Sequence, residues 1–322
     1  MSEVKPFHKD MNRRDNLLNL IHNQSASEPI PAAFFMHFDA AHHQGQAAID
    51  KHLEFFHHTG MDFIKIQYEQ TQPRHPPIRK PEDWKHVPIV GEDFFEPTIR
   101  VVEGLVKAAG KEALVVMTVY SPFMWAAQLD QAGLIGSHLQ ENPQPVSEGL
   151  AIMTENVLRL VRACKQAGVD GFYVSTQGGE AFRFPKTDLF QRFIKPTDLA
   201  VWAEIQACPF NILHICDYVG GYGDLTPFLD YPGAVVNCSL KLGDRTLSAR
   251  EVSNLFKRPF MGGLERKGLI ATGNAEAIRQ TVEKLLTQAP DRFILAADCT
   301  VPSETPWEHL ETAIAAAHQF RK

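Results

Sequence analysis

The sequence has no apolar run approaching the roughly 18 residues that a membrane span requires. Nor has it a basic tract: Lys and Arg are scattered, often beside acids, and the formal net charge is −6. These two absences argue against a bilayer and against nucleic acid as partners. Residues Met1 to Asn16 are polar and charged, unlike a secretory leader. Cysteine is scarce, with five in 322 residues, an odd number that does not read as a disulfide framework. The expected setting is a reducing cytoplasm, where clustered Cys and His more often mean metal or catalysis. No internal repeat, low-complexity stretch or linker divides the chain, and no Gly-rich phosphate turn follows an early strand.

What remains is ordinary globular material, 44% hydrophobic and 22% charged, enough for a full core. Eight short apolar runs punctuate it: Ala33 to Phe38, Asp62 to Gln67, Ala113 to Val119, Gly171 to Ser175, Asn211 to Ile215, Ala234 to Ser239, Phe260 to Leu264, and Arg292 to Ala297. Such runs suit strands buried on both faces of a parallel sheet. Segments of helical period lie between them. Ile49, Leu53 and Phe56 share one face before Gly60, and Met153, Val157, Leu160, Val161 and Cys164 share another before Gly168. Asn274 is the expected N-cap of one helix, and Thr305-Pro306-Trp307-Glu308 fits a capping box opening the last. Alternating strands and helices imply right-handed βαβ units, and eight of them predict an α/β fold closed as a single (β/α)8 TIM barrel. The barrel is expected over residues 11–322, after a flexible N-terminal arm at 1–10. The long connections Tyr68 to Glu92 and Ser121 to Val146 would then sit at its mouth and shape a pocket.

The chemistry gathers at strand ends. His214 and Cys216 form a His-x-Cys pair, and alternation along a strand turns both to one side. Cys238 ends the next run and Cys299 follows the last. Four soft donors at the carboxyl ends of three strands suit tetrahedral zinc, in the part of a barrel where active sites are built. Each cysteine taken alone reads as a small buried hydrophobe. Cys164, on a helical stripe, and Cys208, beside Pro209, keep that plain reading. His37, Asp39, Glu69, Tyr120, Gln177, Glu180, Asp217 and Glu265 follow strands and are candidates for the mouth, with a solvated loop group the plainer alternative for each.

With these residues in view, the sequence resembles the uroporphyrinogen decarboxylase superfamily over nearly its whole length. The resemblance runs through Pro31 to Phe38, Gly60 to Ile66, Ser121-Pro122-Phe123, His214-Ile215-Cys216, Val235-Val236-Asn237, Gly262-Gly263-Leu264 and Thr305 to Leu310. It implies a (β/α)8 barrel. The decarboxylase branch carries an Arg-Gln-Ala-Gly-Arg-Tyr-type motif near its N-terminus and Gly-His-Gly after the last strand. This chain has Phe34 to Asp39 and Asp298-Cys299-Thr300 in those places. The methyltransferase branch fits better, since its zinc motif matches His214, Cys216 and Cys299. In the related methionine synthase pattern a Glu ligand stands where Cys238 stands here, 22 positions after Cys216 and 61 before Cys299. The resemblance thus implies zinc held by His214, Cys216, Cys299 and Cys238. It implies a methylated corrinoid such as methylcobalamin, carried on a separate corrinoid protein, as methyl donor, and a small-molecule thiol as acceptor. Asp217, Glu180 and His37 are the candidates for orienting that acceptor. Barrels of this family often pair, so a homodimer is a possible state. A metal-free lyase acting on a polycarboxylate is a second reading; it needs cations at the mouth, for which Arg74, Arg79, Arg183 and Lys186 are the loop candidates. A non-catalytic zinc- or corrinoid-binding barrel is a third.

Overall fold

The computed structural model describes residues 12–22, 28–70, 73–130, 133–180, 182–184 and 187–321. The expected arm at 1–10, and Lys186, lie outside the described residues. Seven of the eight apolar runs are strands: β1 (Phe63–Ile66), β2 (Leu114–Tyr120), β3 (Gly171–Thr176), β4 (Ile212–Ile215), β5 (Val235–Cys238), β6 (Phe260–Leu264) and β7 (Phe293–Ala297). They form one sheet in that order, every pairing parallel. The strands are short and almost wholly buried, because one face meets the interior and the other meets helices. Helices return the chain between them, among them Gly45–Thr59, Glu96–Ala109, Pro143–Gln166, Lys195–Ile205 and Ala275–Gln288. Among the described residues no helix is long and apolar enough to cross a membrane.

Helix ends follow local chemistry in most places. Gly60 adopts φ 73° and closes the helix Gly45–Thr59, a left-handed position that suits glycine. Asn274 accepts a hydrogen bond from the Ala277 amide and caps Ala275–Gln288, as expected. The last helix departs from expectation. It spans Trp307–Gln319 with Pro306 at the N-cap and no side-chain cap, while the Thr305 hydroxyl is buried without a partner. The residues of a capping box are present, but the chain enters the helix one position later than the motif requires.

The first apolar run is the larger correction. Ala33 to Phe38 forms no regular strand, and its neighbour Ala32 makes a single bridge to Leu295 of β7. Two hydrogen bonds hold that side, from the Ala33 amide to the Leu295 carbonyl at 3.0 Å and from the Leu295 amide to the Pro31 carbonyl at 2.8 Å. Toward β1, the Asp62 amide donates to the Ala32 carbonyl at 2.9 Å. The Ala32 amide turns to the Asp62 carboxylate instead of to backbone, at 2.7 Å. The same carboxylate oxygen meets His318 of the last helix at 2.9 Å. A side chain therefore takes a donor that a regular ladder would use, and the ladder stays thin there.

Candidate metal centre

A cavity of about 950 Å³ opens at the carboxyl ends of the strands. Register fixes what faces it. In a parallel sheet, residues paired in register project to the same side. Ser175 pairs with His214, and His214 pairs with Asn237. Tyr173, two residues before Ser175, shares their side, and Tyr173, Ser175 and His214 all line the cavity.

His214 lies on β4, Cys216 just beyond it, and Cys299 two residues after β7. All three are buried, and their donor atoms lie within 4.8 Å of one another. Gln177 donates a hydrogen bond to the Cys216 sulfur at 3.4 Å. Burial pushes both thiols up, and the hydrogen bond between them moves the two in opposite directions. The hydrogen bond from Cys299 holds Cys216 well below the ordinary thiol range, and Cys216 in turn pushes Cys299 well above it. One proton is in effect shared between two sulfurs, with Cys216 the readier thiolate.

The surroundings set the geometry of these groups. Tyr173 stacks on the His214 ring at 4.7 Å between centroids, and its hydroxyl donates to Asn237 Oδ1 at 2.5 Å. Asn237 donates onward to the carbonyls of Met261 and Ala297, tying the stack to β6 and β7. Arg266 joins the two cysteine-bearing segments. Its Nη1 lies 2.6 Å from Asp217, the neighbour of Cys216, and 3.5 Å from Asp298, the neighbour of Cys299. Its backbone amide also donates to Asp298 at 2.9 Å.

Cys238 does not join this group. It pairs in register with Ile215, one step out of phase with the His214–Asn237 pair, so its thiol faces the opposite side of the sheet. There it packs in the hydrophobic core, 1% exposed, and burial pushes its pKa up to about 12. The expected fourth ligand is thus a core residue, as its plainer reading had it.

The three expected orienting residues take different places. His37 lines the cavity, with Nδ1 2.8 Å from Glu69. Asp217 is engaged by Arg266, and it is Arg266 that contributes to the cavity wall. Glu180 is fully buried and off the wall. Its carboxylate accepts from the Gly178 amide at 2.8 Å and lies 3.8 Å from Arg183, which orders its own loop. Of the two long connections, Ser121 to Val146 supplies wall residues, including Met124 and Gln128, whereas the described residues of Tyr68 to Glu92 supply none. Among the described residues Arg183 is the one expected loop cation on the wall, and Arg74 and Arg79 are elsewhere.

Sequence reasoning missed Lys65, Thr118, Tyr173 and Arg266, all of which line the cavity. A signal for Lys65 was present: it is a charged residue inside a short run that is otherwise apolar, with polar Gln67 two positions on.

Residues 55–320 match a family model described as uroporphyrinogen decarboxylase (URO-D). A solved methyltransferase from Methanosarcina mazei is similar in fold, with TM-score 0.78 at 15% identity, over 96% of this chain and 98% of that one. A B12-independent methionine synthase from Shewanella is similar with TM-score 0.52 at 12% identity, over 91% of this chain and 95% of that one. No curated protein sequence matches.

Proposed function

The chain belongs to the uroporphyrinogen decarboxylase (URO-D) family, and from that premise we propose that it is a zinc-dependent methyltransferase moving a methyl group from a methylated corrinoid to a thiol. The observation that carries this reading is the donor set. Among the described residues neither buried ring nitrogen of His214 has an oxygen or nitrogen partner, and two thiols lie beside them. An imidazole left that way is costly, and an ion accepting one nitrogen and two sulfurs relieves it. His214, Cys216 and Cys299 fit zinc by donor type, and with donor atoms within 4.8 Å of one another they are near enough to turn toward one ion. His214, Cys216 and Cys299 would hold the ion, and zinc held there would supply Lewis acidity that favours the thiolate form of an acceptor. Tyr173 fixes the plane of His214, Gln177 holds the Cys216 sulfur, and Arg266 sets the separation of the two cysteine segments.

The fold reading goes with the function. We take Pro31 to Met36 as the eighth stave, closing the seven strands into a barrel through its bonds to Leu295 and Asp62. The mouth also suits a donor carried on a protein. Phe182, Tyr218, Val219 and Leu269 are large, apolar and exposed, and each lies in a segment that contributes to the cavity wall. Exposed apolar groups clustered at a cavity rim mark an interaction surface, here for a corrinoid protein.

One observation favours the second reading. Lys65, Arg183, Arg266 and Lys267 all line the cavity, as a lyase acting on a polycarboxylate would need. A single set of assays separates the readings. Purified protein is expected to carry about one zinc per chain. It is expected to methylate a thiol from methylcobalamin and to lose that activity on chelation while its circular dichroism is unchanged. Release of carbon dioxide from polycarboxylates by metal-free protein would instead establish the lyase. Unfolding on chelation, with no transfer beforehand, would leave a zinc-stabilised binding barrel.

A further inference from the structure

Gln177 follows β3 by one residue and is buried on the cavity wall. Strand pairing carries on far enough to place it. Thr176 pairs with Ile215, and the Cys216 amide donates to the Thr176 carbonyl at 3.0 Å. The backbone thus sets Gln177 beside Cys216, and its Nε2 donates to the Cys216 sulfur at 3.4 Å. A carboxamide has two ends of nearly the same shape, one that donates and one that only accepts. Turned over, Gln177 would present oxygen to the sulfur, and two electron-rich atoms would repel. Some neighbour has to choose the end.

Arg183 makes that choice. Its Nη1 donates to Gln177 Oε1 at 3.0 Å. A guanidinium carries five N–H donors and no acceptor. Only the oxygen end of the amide can face it, which leaves the NH2 end for the sulfur. Arg183 is itself held by three contacts. The Glu180 carboxylate lies 3.8 Å from Nη1, and the guanidinium sits over the rings of Phe123 at 5.3 Å and Phe182 at 5.6 Å. Glu180 is wholly buried and accepts from the Gly178 amide at 2.8 Å, which secures the chain just after Gln177. The sequence of contacts from Glu180 through Arg183 and Gln177 thus ends on the Cys216 sulfur.

We infer that Arg183 is a positioning residue: it locks the Gln177 amide with an N–H toward the Cys216 sulfur, and so tunes a metal ion held there. The inference rests on the reading of His214, Cys216 and Cys299 as a metal centre. A hydrogen bond to a ligating sulfur orients it and draws electron density from it. Two effects of Arg183 on the metal therefore oppose each other. As a positive charge it repels a divalent cation, so by charge alone its loss tightens binding. As the lock on Gln177, its loss weakens binding. The sign of the change separates the two.

Cobalt-loaded protein tests it, since Co²⁺ accepts the same nitrogen and sulfur donors and adds a sulfur-to-metal absorption band. Gln177→Leu is expected to move that band to longer wavelength and to weaken zinc binding about 10-fold in chelator competition. Arg183→Met is expected to do the same, and Arg183→Lys, which keeps a donor, to stay near the wild type. The double variant is expected to lose no more than Gln177→Leu alone. Circular dichroism checks the fold of each. A tighter metal or an unmoved band in Arg183→Met overturns the proposal, and so do losses that add in the double variant. Should Arg183→Met not fold, a band in Arg183→Lys displaced as far as in Gln177→Leu overturns it. If neither metal binds the wild type, the metal reading fails. The side-chain amide NMR signals of Gln177 in metal-free protein, assigned by their loss in Gln177→Leu, then decide the lock: displaced in Arg183→Met they sustain it, and unmoved they overturn it.

Discussion

Replacing Cys216 or Cys299 by Ser is expected to take zinc from about one per chain to near none, and to cut thiol methylation more than ~100-fold. Replacing Cys238 by Val is expected to leave both within about twofold, since it exchanges one buried apolar group for another of similar size. The contrast follows from sheet register. Cys216 and Cys299 place sulfur within 4.8 Å of the His214 donor atom, whereas Cys238 follows Ile215 to the other side of the sheet. A serine hydroxyl is a far weaker ligand than a thiolate, and removing one donor of three leaves too little to retain the ion. Elemental analysis beside a methylcobalamin assay is the measurement. Full zinc retention in Cys216→Ser would sink the assigned centre; loss of zinc in Cys238→Val would reinstate a four-ligand set.

A second large effect is expected in stability against pH. Asp198 is wholly buried, and burial raises its carboxyl pKa to about 7 against the lowering pull of hydrogen bonds from Thr176 and Tyr231. The folded pKa stands above the unfolded one, so the native state binds the proton more tightly. The contribution is fully present below about pH 4 and is lost as pH rises toward 7. A shift of this size amounts to roughly 4 kcal/mol. Asp198→Asn keeps an oxygen for Thr176 and Tyr231 but carries no charge, so it should escape the decline. Urea midpoints of the two proteins are expected to be similar at pH 4 and to favour the Asn variant at pH 8, with the difference between proteins cancelling other titrations. If the Asn variant is weaker by the same amount at both values, Asp198 is ionised in the fold and the argument fails.

Much of the architecture was legible because the strands are apolar on both faces. Runs such as Leu114 to Val119 leave no competing pattern, and glycines such as Gly60 mark the turn before the next strand. The run at Ala33 to Phe38 looked alike but met a partner that no local pattern reveals, the Asp62 carboxylate. The His-x-Cys pair was readable because alternation alone sets both side chains on one side. Cys238 was misassigned because spacing along the chain does not give the phase of one strand against another. Its neighbour Asn237, the polar residue of its strand, carried that phase and faces inward. Lys65 and Arg266 escaped notice because their roles depend on aromatic faces and carboxylates from distant strands.

The thin ladder beside Ala32 has a dynamic consequence. The pairings of β1 with β2 and of β6 with β7 are rows of four and five parallel bridges, but here one bridge and a few bonds close the gap. Local opening takes the route that breaks the fewest bonds, so this seam is where opening is expected first. The chain leaving it leads to His37 on the cavity wall. An opening of the seam would therefore be felt at His37 and, through β7, at Cys299, which follows that strand by two residues.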